Sequence, residues 1–457
     1  MHRHFFAPIL ILTILAACAP APKPDVDLTS LKPTEAADAL GLGGAEIGYL
    51  LIDAGDGEIL EAQKENQAFP PASTAKVPTA IAALGVLGPN YRFATDLWAR
   101  GSFKDGVLDG DIALMGNGDP LLSMGDLRAL AQQMRDFGMK EVKGRFLYTS
   151  SLPAFPLVEP NQPAWVPYNQ GIGGLNLEYN RANAGGAEAP ERLTPAEAEG
   201  LVSKPAKRSH ATDVPVRDPA RLAARMLRRL AEAEGTNLPA PIAGPVPPDA
   251  LPLARVHSRP LIEIVRAGLE YSNNLVAESV GLATAEKLST HPKSLHDSAT
   301  ASGVWLERHV PGLARFAPNL RNHSGLSTES RVTPQQMTSI LRFALGIRFD
   351  GWRFDTLLPP GGGREGYHGR FKQKETAFRI WGKTGTMKYI KGLVGYLDAN
   401  SGRRLICAVF TWDPVGRAKY DSAGMPEHGP VARTARDWQQ RAERFEEVLI
   451  TRWISAY

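Results

Sequence analysis

Ser73-Thr74-Ala75-Lys76 follows Pro70-Pro71 and opens the small-residue run Val77-Pro78-Thr79-Ala80-Ile81-Ala82-Ala83-Leu84. Positions three apart in the first turn of a helix share a face, so the pattern sets a serine hydroxyl beside a lysine amine. An uncharged amine there can accept the hydroxyl proton and activate the oxygen as a nucleophile. Alone the match is weak, because roughly one S-x-x-K arises by chance in a chain of this length. On the bland reading Ser73 caps a helix and Lys76 is a surface lysine. The run that follows would be buried on most of its surface, with Pro78 tolerated only in a first turn or at a kink.

Upstream, Ala45 to Asp53 is strand-like, Ala54-Gly55-Asp56-Gly57 is turn chemistry, and Glu58-Ile59-Leu60 begins a return strand, which together predict a hairpin. Near the other end, Gly392 to Leu397 and Arg404 to Phe410 are apolar strands joined through Asp398-Ala399-Asn400-Ser401-Gly402, a second antiparallel hairpin. Cys407 within it reads as a buried, inert thiol. A final helix carries Ala435, Trp438, Ala442, Phe445 and Leu449 on one face, a stripe that needs a sheet to pack against.

The texture between about 91 and 246 is different. Asp109 to Met115 and Gly144 to Tyr148 read as strands, Leu127 to Phe137 as a helix, and Pro153 to Pro195 as irregular surface loops. Asp218-Pro219 opens a helix with Leu222, Met226, Leu227 and Leu230 at helical spacing and Gly235 at its end. Pro239 to Pro252 reads as a linker. Beyond it, Leu261, Ile264, Val265, Gly268 and Leu269 form an amphipathic helix that runs into Tyr271-Ser272-Asn273-Asn274. The expected organisation is one domain from 25–90 and 247–457, with a mainly β region, 91–246, inserted into it.

The chain has 457 residues, 43% of them apolar, and a formal charge of +4, which excludes a disordered or fibrous protein. No run of five basic residues occurs, so nucleic-acid binding is not implied. Two cysteines exclude a disulfide framework, and the ten histidines show no metal-ligand spacing. His291 and His296 read as solvated loop residues. The first 24 residues read as an address. Met1-His2-Arg3-His4 is a positive start, Phe5 to Leu15 an apolar stretch too short to span a membrane, and Ala16-Ala17-Cys18 a run of small residues. Leu15-Ala16-Ala17-Cys18 is similar to a bacterial lipoprotein signal, with Cys18 as the lipidated mature N-terminus and membrane attachment through that lipid only. Simple cleavage at Ala17-Cys18-Ala19, leaving a soluble periplasmic protein, is the competing reading. Ala19 to Pro24 reads as a stiff tether.

Two further segments follow Ser73 to Lys76 in order: Ser272-Asn273-Asn274, an S-x-N, and Lys383-Thr384-Gly385-Thr386, a K-T-G-T at the start of an edge-like strand. Singly each reads as a helix cap or strand edge. Together they match the signature of serine β-lactamases and penicillin-binding proteins. The stretch between Ser73 and Ser272 is longer than a compact β-lactamase core requires, which suits the inserted region. The sequence thus resembles the D-alanyl-D-alanine carboxypeptidase/endopeptidase family of low-molecular-mass penicillin-binding proteins. Also similar are Gly118-Asp119-Pro120, Leu175-Asn176-Leu177, Ala277-Glu278 and Ser324-Gly325-Leu326-Ser327 ahead of Thr333-Pro334. Departures are Asn273 where Asp is common, His323 before Ser324-Gly325 where the family has Asp-Gly, and the segment 364–369.

The resemblance implies an α/β (α+β) fold of the serine β-lactamase/DD-peptidase type, an antiparallel sheet flanked by helices. It implies Ser73 as nucleophile, Lys76 as base, and Ser272 as proton relay. Asn274 would hydrogen-bond the peptide amide and Lys76, Lys383 would favour anions, Thr384 and Thr386 would bind the terminal carboxylate, and Gly385 would let the substrate backbone approach closely. Peptidoglycan stem peptides would be substrates and β-lactam antibiotics acylating inhibitors, with no metal or organic cofactor. A serine β-lactamase and a non-catalytic cell-wall binding protein on the same fold remain alternatives. The resemblance does not separate carboxypeptidase from endopeptidase cleavage.

Overall fold

The computed structural model describes residues 27–183, 213–313, 317–363 and 369–457. The leader at 1–24 with Cys18, part of the loop region after Asn183 and most of the segment 364–369 lie outside them. The strands are β1 (Glu46–Asp53), β2 (Ile59–Gln63), β3 (Ala94–Lys104), β4 (Val107–Gly116), β5 (Glu141–Val142), β6 (Phe146–Ser150), β7 (Arg181–Asn183), β8 (Asp213–Pro215), β9 (Pro241–Ala243), β10 (Leu251–His257), β11 (Ile380–Met387), β12 (Ile390–Asp398) and β13 (Arg404–Trp412). The helices are α1 (Pro33–Ala39), α2 (Lys76–Leu87), α3 (Met124–Asp136), α4 (Pro219–Ala233), α5 (Leu261–Glu270), α6 (Asn274–Lys287), α7 (Leu295–His309), α8 (Pro334–Gly346), α9 (Pro414–Ser422) and α10 (Pro430–Ala456).

The first sheet is antiparallel in the order β11-β12-β13-β1-β2. Its central strands are buried on both faces, and the period of two sorts their side chains into two cores. Leu50, Ile52, Val394, Tyr396, Ile406 and Phe410 pack with α2, α5, α6 and α8. Tyr49, Leu51, Leu393, Leu405, Cys407 and Val409 face the other way and meet Trp438, Phe445, Leu449 and Trp453 of α10. The apolar stripe of the last helix thus has the sheet its pattern required. Cys407 is fully buried, and burial pushes its thiol up to about 12.

The second sheet runs β10-β3-β4-β6-β9, with β5 beside β4. Helices α3 and α4 cover it through Leu127, Leu130, Met134, Leu222, Met226 and Leu227. The segment Pro239 to Pro252 is not a free linker, because it supplies β9 and the start of β10. Proline survives there because both strands lie at sheet edges, where a missing N–H breaks no inner ladder. The sheet therefore continues to His257, past the boundary expected at 246. The chain leaves and re-enters the first body side by side: Ser258 N–H donates to the Phe93 carbonyl, and Phe93 N–H donates to Ser258 Oγ, both at 2.9 Å.

Pro78 is the third residue of α2, where its lacking N–H costs no helical bond. His291 is exposed, but His296 lies in the first turn of α7, half-buried, with Nδ1 2.9 Å from the Leu320 carbonyl. No helix among the described residues is long and apolar enough to cross a membrane.

Candidate active site

Ser73 belongs to a 3-10 turn, Ala72–Ala75, that feeds into α2 at Lys76. Ala72, just before the serine, has φ +46°, a left-handed backbone uncommon outside glycine. The turn lies against the edge strand β11 and the loop ahead of α8, and two glycines make the fit. A Cβ at Gly385 would meet the Pro71 carbonyl at 2.5 Å and the Ser73 nitrogen at 3.2 Å. At Gly325 a Cβ would stand 1.8 Å from the Ala72 carbonyl oxygen. The glycine of the K-T-G segment is thus required by the serine's own turn, whatever ligand approaches. That segment runs from the middle of β11 toward its end, not from its start.

Lys76 is 2% exposed, and its Nζ has three neighbours. It lies 2.9 Å from Ser73 Oγ, 2.8 Å from Asn274 Oδ1 and 2.9 Å from the Ser324 carbonyl oxygen. The Asn274 amide is oriented by its Nδ2, which donates to the Tyr168 carbonyl at 2.9 Å and so turns Oδ1 toward the lysine. Burial, and after it the positive charge of Lys383, hold the Lys76 amine well below the usual lysine range. A neutral amine has two hydrogens and one lone pair. Asn274 Oδ1 and the Ser324 carbonyl accept the two hydrogens, which leaves the lone pair for the Ser73 hydroxyl proton.

Asn274 opens α6, and Asn273 is its N-cap, accepting from Val276 N–H at 3.2 Å. Asn and Asp cap about equally well, which explains why Asn273 is tolerated at the motif's middle position. Ser272 has φ +53° and borders the same cavity as Ser73, but it is not among the three partners of Lys76. Lys383 is buried, donates to the Thr384 carbonyl at 3.0 Å, and is pushed down to about 7 by burial and by Lys391.

The cavity in front of Ser73 has a volume of about 320 Å³. Ser73, Ser272, Asn274, Thr386, Tyr168 and Arg417 border it, while Thr384 and Gly385 do not line it.

Glu278 was legible only as part of the resemblance, without a role, although it stands one helical turn after Asn274. It is fully buried, and its carboxyl accepts from His323 N–H at 3.0 Å and Ser324 N–H at 2.7 Å, fixing the loop whose carbonyl holds Lys76. Burial pushes it up to about 7. His323, where the resemblance expects Asp-Gly, is buried between Ser298 Oγ at 2.8 Å and Thr79 Oγ1 at 3.3 Å. Its ring occupies space left by Gly281, where a Cβ would lie 2.2 Å away, and desolvation pushes it down to about 3. Nothing in one-dimensional spacing announces that pairing.

A model of the D-Ala-D-Ala carboxypeptidase 3 (S13) family matches residues 34–169 and 195–423, which contain all three motif segments. The chain belongs to that family. Among relatives of this S13 protein, it is 27% identical over 465 residues to a D-alanyl-D-alanine carboxypeptidase of Actinomadura sp. (strain R39), covering 86% of this chain and 84% of the relative. The fold is that of penicillin binding protein 4 (dacB) from Haemophilus influenzae, with TM-score 0.74, 20% identity, and coverage of 91% of this chain and 99% of the other. A structure of the same Haemophilus protein complexed with a β-lactam gives TM-score 0.72 at 20% identity over 90% of this S13 chain and 98% of the other.

Proposed function

We propose that this protein is a serine D-Ala-D-Ala carboxypeptidase/endopeptidase that acts on peptidoglycan stem peptides through an acyl-enzyme on Ser73. The observation that carries the reading is the desolvated Lys76 amine 2.9 Å from Ser73 Oγ with its other two positions occupied by carbonyl oxygens. Family membership and the carboxypeptidase name of the Actinomadura relative support it.

Lys76 takes the Ser73 proton as Oγ adds to the carbonyl carbon of the D-Ala-D-X bond. The backbone N–H groups of Ser73 and Thr386 receive the oxyanion, a contribution worth about 3 kcal/mol per donor in comparable sites. Collapse breaks the C–N bond, and the proton on Lys76 reaches the leaving amine through the Ser272 hydroxyl. Asn274 binds the peptide amide, while Lys383 and Thr386 favour the terminal carboxylate. D-alanine or the amine-side peptide fragment departs when the C–N bond breaks. Water then attacks the ester with Lys76 again as base, the bond to Ser73 Oγ breaks, Oγ regains its proton from Lys76, and the shortened acyl peptide leaves as its carboxylate. The same parts make the site a target for β-lactams, which leave Ser73 acylated.

The region between Phe93 and Ser258 is, on this reading, an inserted domain, supported by the paired entry and exit of the chain. The leader directs the protein to the periplasm with a lipid on Cys18, supported by the position of that cysteine after Leu15-Ala16-Ala17.

Peptide mass spectrometry after incubation with benzylpenicillin tests the enzyme reading. The expected result is an adduct on Ser73 with D-alanine release from a pentapeptide. A folded protein with neither is a binding protein, and rapid turnover of nitrocefin identifies a β-lactamase. Product analysis on purified muropeptides reports the bond that is cut.

A further inference from the structure

Thr386, which borders the cavity, is tied to a lysine outside the three motifs. Thr386 and Lys391 face each other across the β11–β12 hairpin. Lys391 is 3% exposed, and its Nζ donates to Thr386 Oγ1 and to Glu443 Oε2 of α10, each at 2.9 Å. One helical turn before Glu443, Gln439 donates to the Met387 carbonyl and accepts from Lys388 Nζ, both at 3.0 Å. Helix α10 therefore grips the end of the K-T-G-T strand at two successive points.

An ammonium only donates, so in its bond with Lys391 the Thr386 oxygen is the acceptor. The threonine's own proton must point elsewhere, and the residue borders the cavity. We propose that Lys391, clamped by Glu443, is a positioning and specificity residue. It fixes the Thr386 hydroxyl as a donor into the cavity and sets a buried positive charge behind it, so that the site selects ligands with a carboxylate beside the scissile amide. This rests on the serine-peptidase reading of the pocket.

Lys391 lies between acidic groups on α10 and a second lysine on β11. Glu443 and the fully buried Glu446 face it from α10, while Arg370, from the loop ahead of β11, engages Glu443 at 3.4 Å, Glu446 at 2.9 Å and Glu447 at 3.1 Å. The acidic groups are thus shared with a second cation. On the β11 side Lys391 repels Lys383, which reinforces the effect of burial on that amine. Without Lys391, Lys383 would hold its proton to higher pH.

The test compares Ser73 acylation by benzylpenicillin, an anion, with acylation by its neutral methyl ester. Wild type is expected to favour the anion. Lys391→Met should cut the anion-to-ester ratio about tenfold, the loss of one charge-assisted contact, whereas Lys391→Arg should retain most of it. The falling alkaline limb of the acylation rate should move up by roughly half a pH unit or more in Lys391→Met, a shift that a purely structural role would not produce. Since Lys391→Met takes from Glu443 its lysine partner and leaves it Arg370, the doubly substituted Lys391→Met/Glu443→Gln protein keeps the test sound if the single variant fails to fold. An unchanged ratio and limb in the folded double variant overturns the proposal while leaving the enzyme intact. Absence of any adduct on wild type overturns the peptidase reading and this proposal with it.

Discussion

Lys76 Nζ and Asn274 Oδ1 lie 2.8 Å apart although 198 positions separate the two residues in the chain. The amide oxygen takes a hydrogen from the amine without adding charge, which is what allows a buried lysine to stand neutral beside a serine.

Replacing that amide by a carboxylate reverses the effect. In Asn274→Asp the new negative charge stabilises the protonated lysine and raises its pKa. Acylation by benzylpenicillin at neutral pH should fall by at least about tenfold, each pKa unit being worth one factor of ten. Part of the loss should return as pH rises. A rate profile that keeps its wild-type shape would contradict the assignment of Lys76 as base.

Glu278 carries a pH signature in stability. Its carboxyl is pushed from 4.5 up to about 7 in the folded protein. Between those values the folded state binds the extra proton, so its contribution is full below 4.5 and is lost as pH rises toward 7. Wild type should lose stability relative to Glu278→Gln over that window by an amount on the order of 2–3 kcal/mol. Urea unfolding of both proteins at several pH values measures it, and a difference that does not change with pH would disprove it.

The Gly281 and His323 pair should behave as one unit. Gly281→Ala alone drives a methyl into the imidazole and should cost roughly 1–3 kcal/mol, the usual range for overpacking. Added to His323→Gly, the same methyl should cost much less. A double-mutant cycle in which the two effects simply sum would show that the ring and the glycine are independent.

Cys407 should resist iodoacetamide in the native protein and react on unfolding. Its thiol is buried and raised to about 12, so almost no thiolate is present at neutral pH. Labelling of the Cys407 peptide before unfolding would indicate that β13 opens far more readily than its packing between the two cores suggests.

What could be read without coordinates was local or periodic. The Ser73–Lys76 contact needs only one turn of helix, the C-terminal stripe from Ala435 to Leu449 needs only a sheet, and Cys407 follows from its apolar strand. Edge strands were harder, because Pro241 and Pro252 carry the same proline signal as a linker and only the neighbours β6 and β3 show that both segments pair.

The sequence by itself determined the chemical parts and their order: a serine with a lysine three positions on, an S-x-N, and a K-T-G-T in a hairpin. The tertiary structure decided what state those parts are in. Desolvation of Lys76, the aim of the Asn274 amide at it, the Ser324 carbonyl held by Glu278, and the Lys391–Glu443 clamp all arise from groups far apart in the chain. Dielectric surroundings and hydrogen-bond direction are properties of packed neighbours in three dimensions, and no spacing along one dimension encodes them.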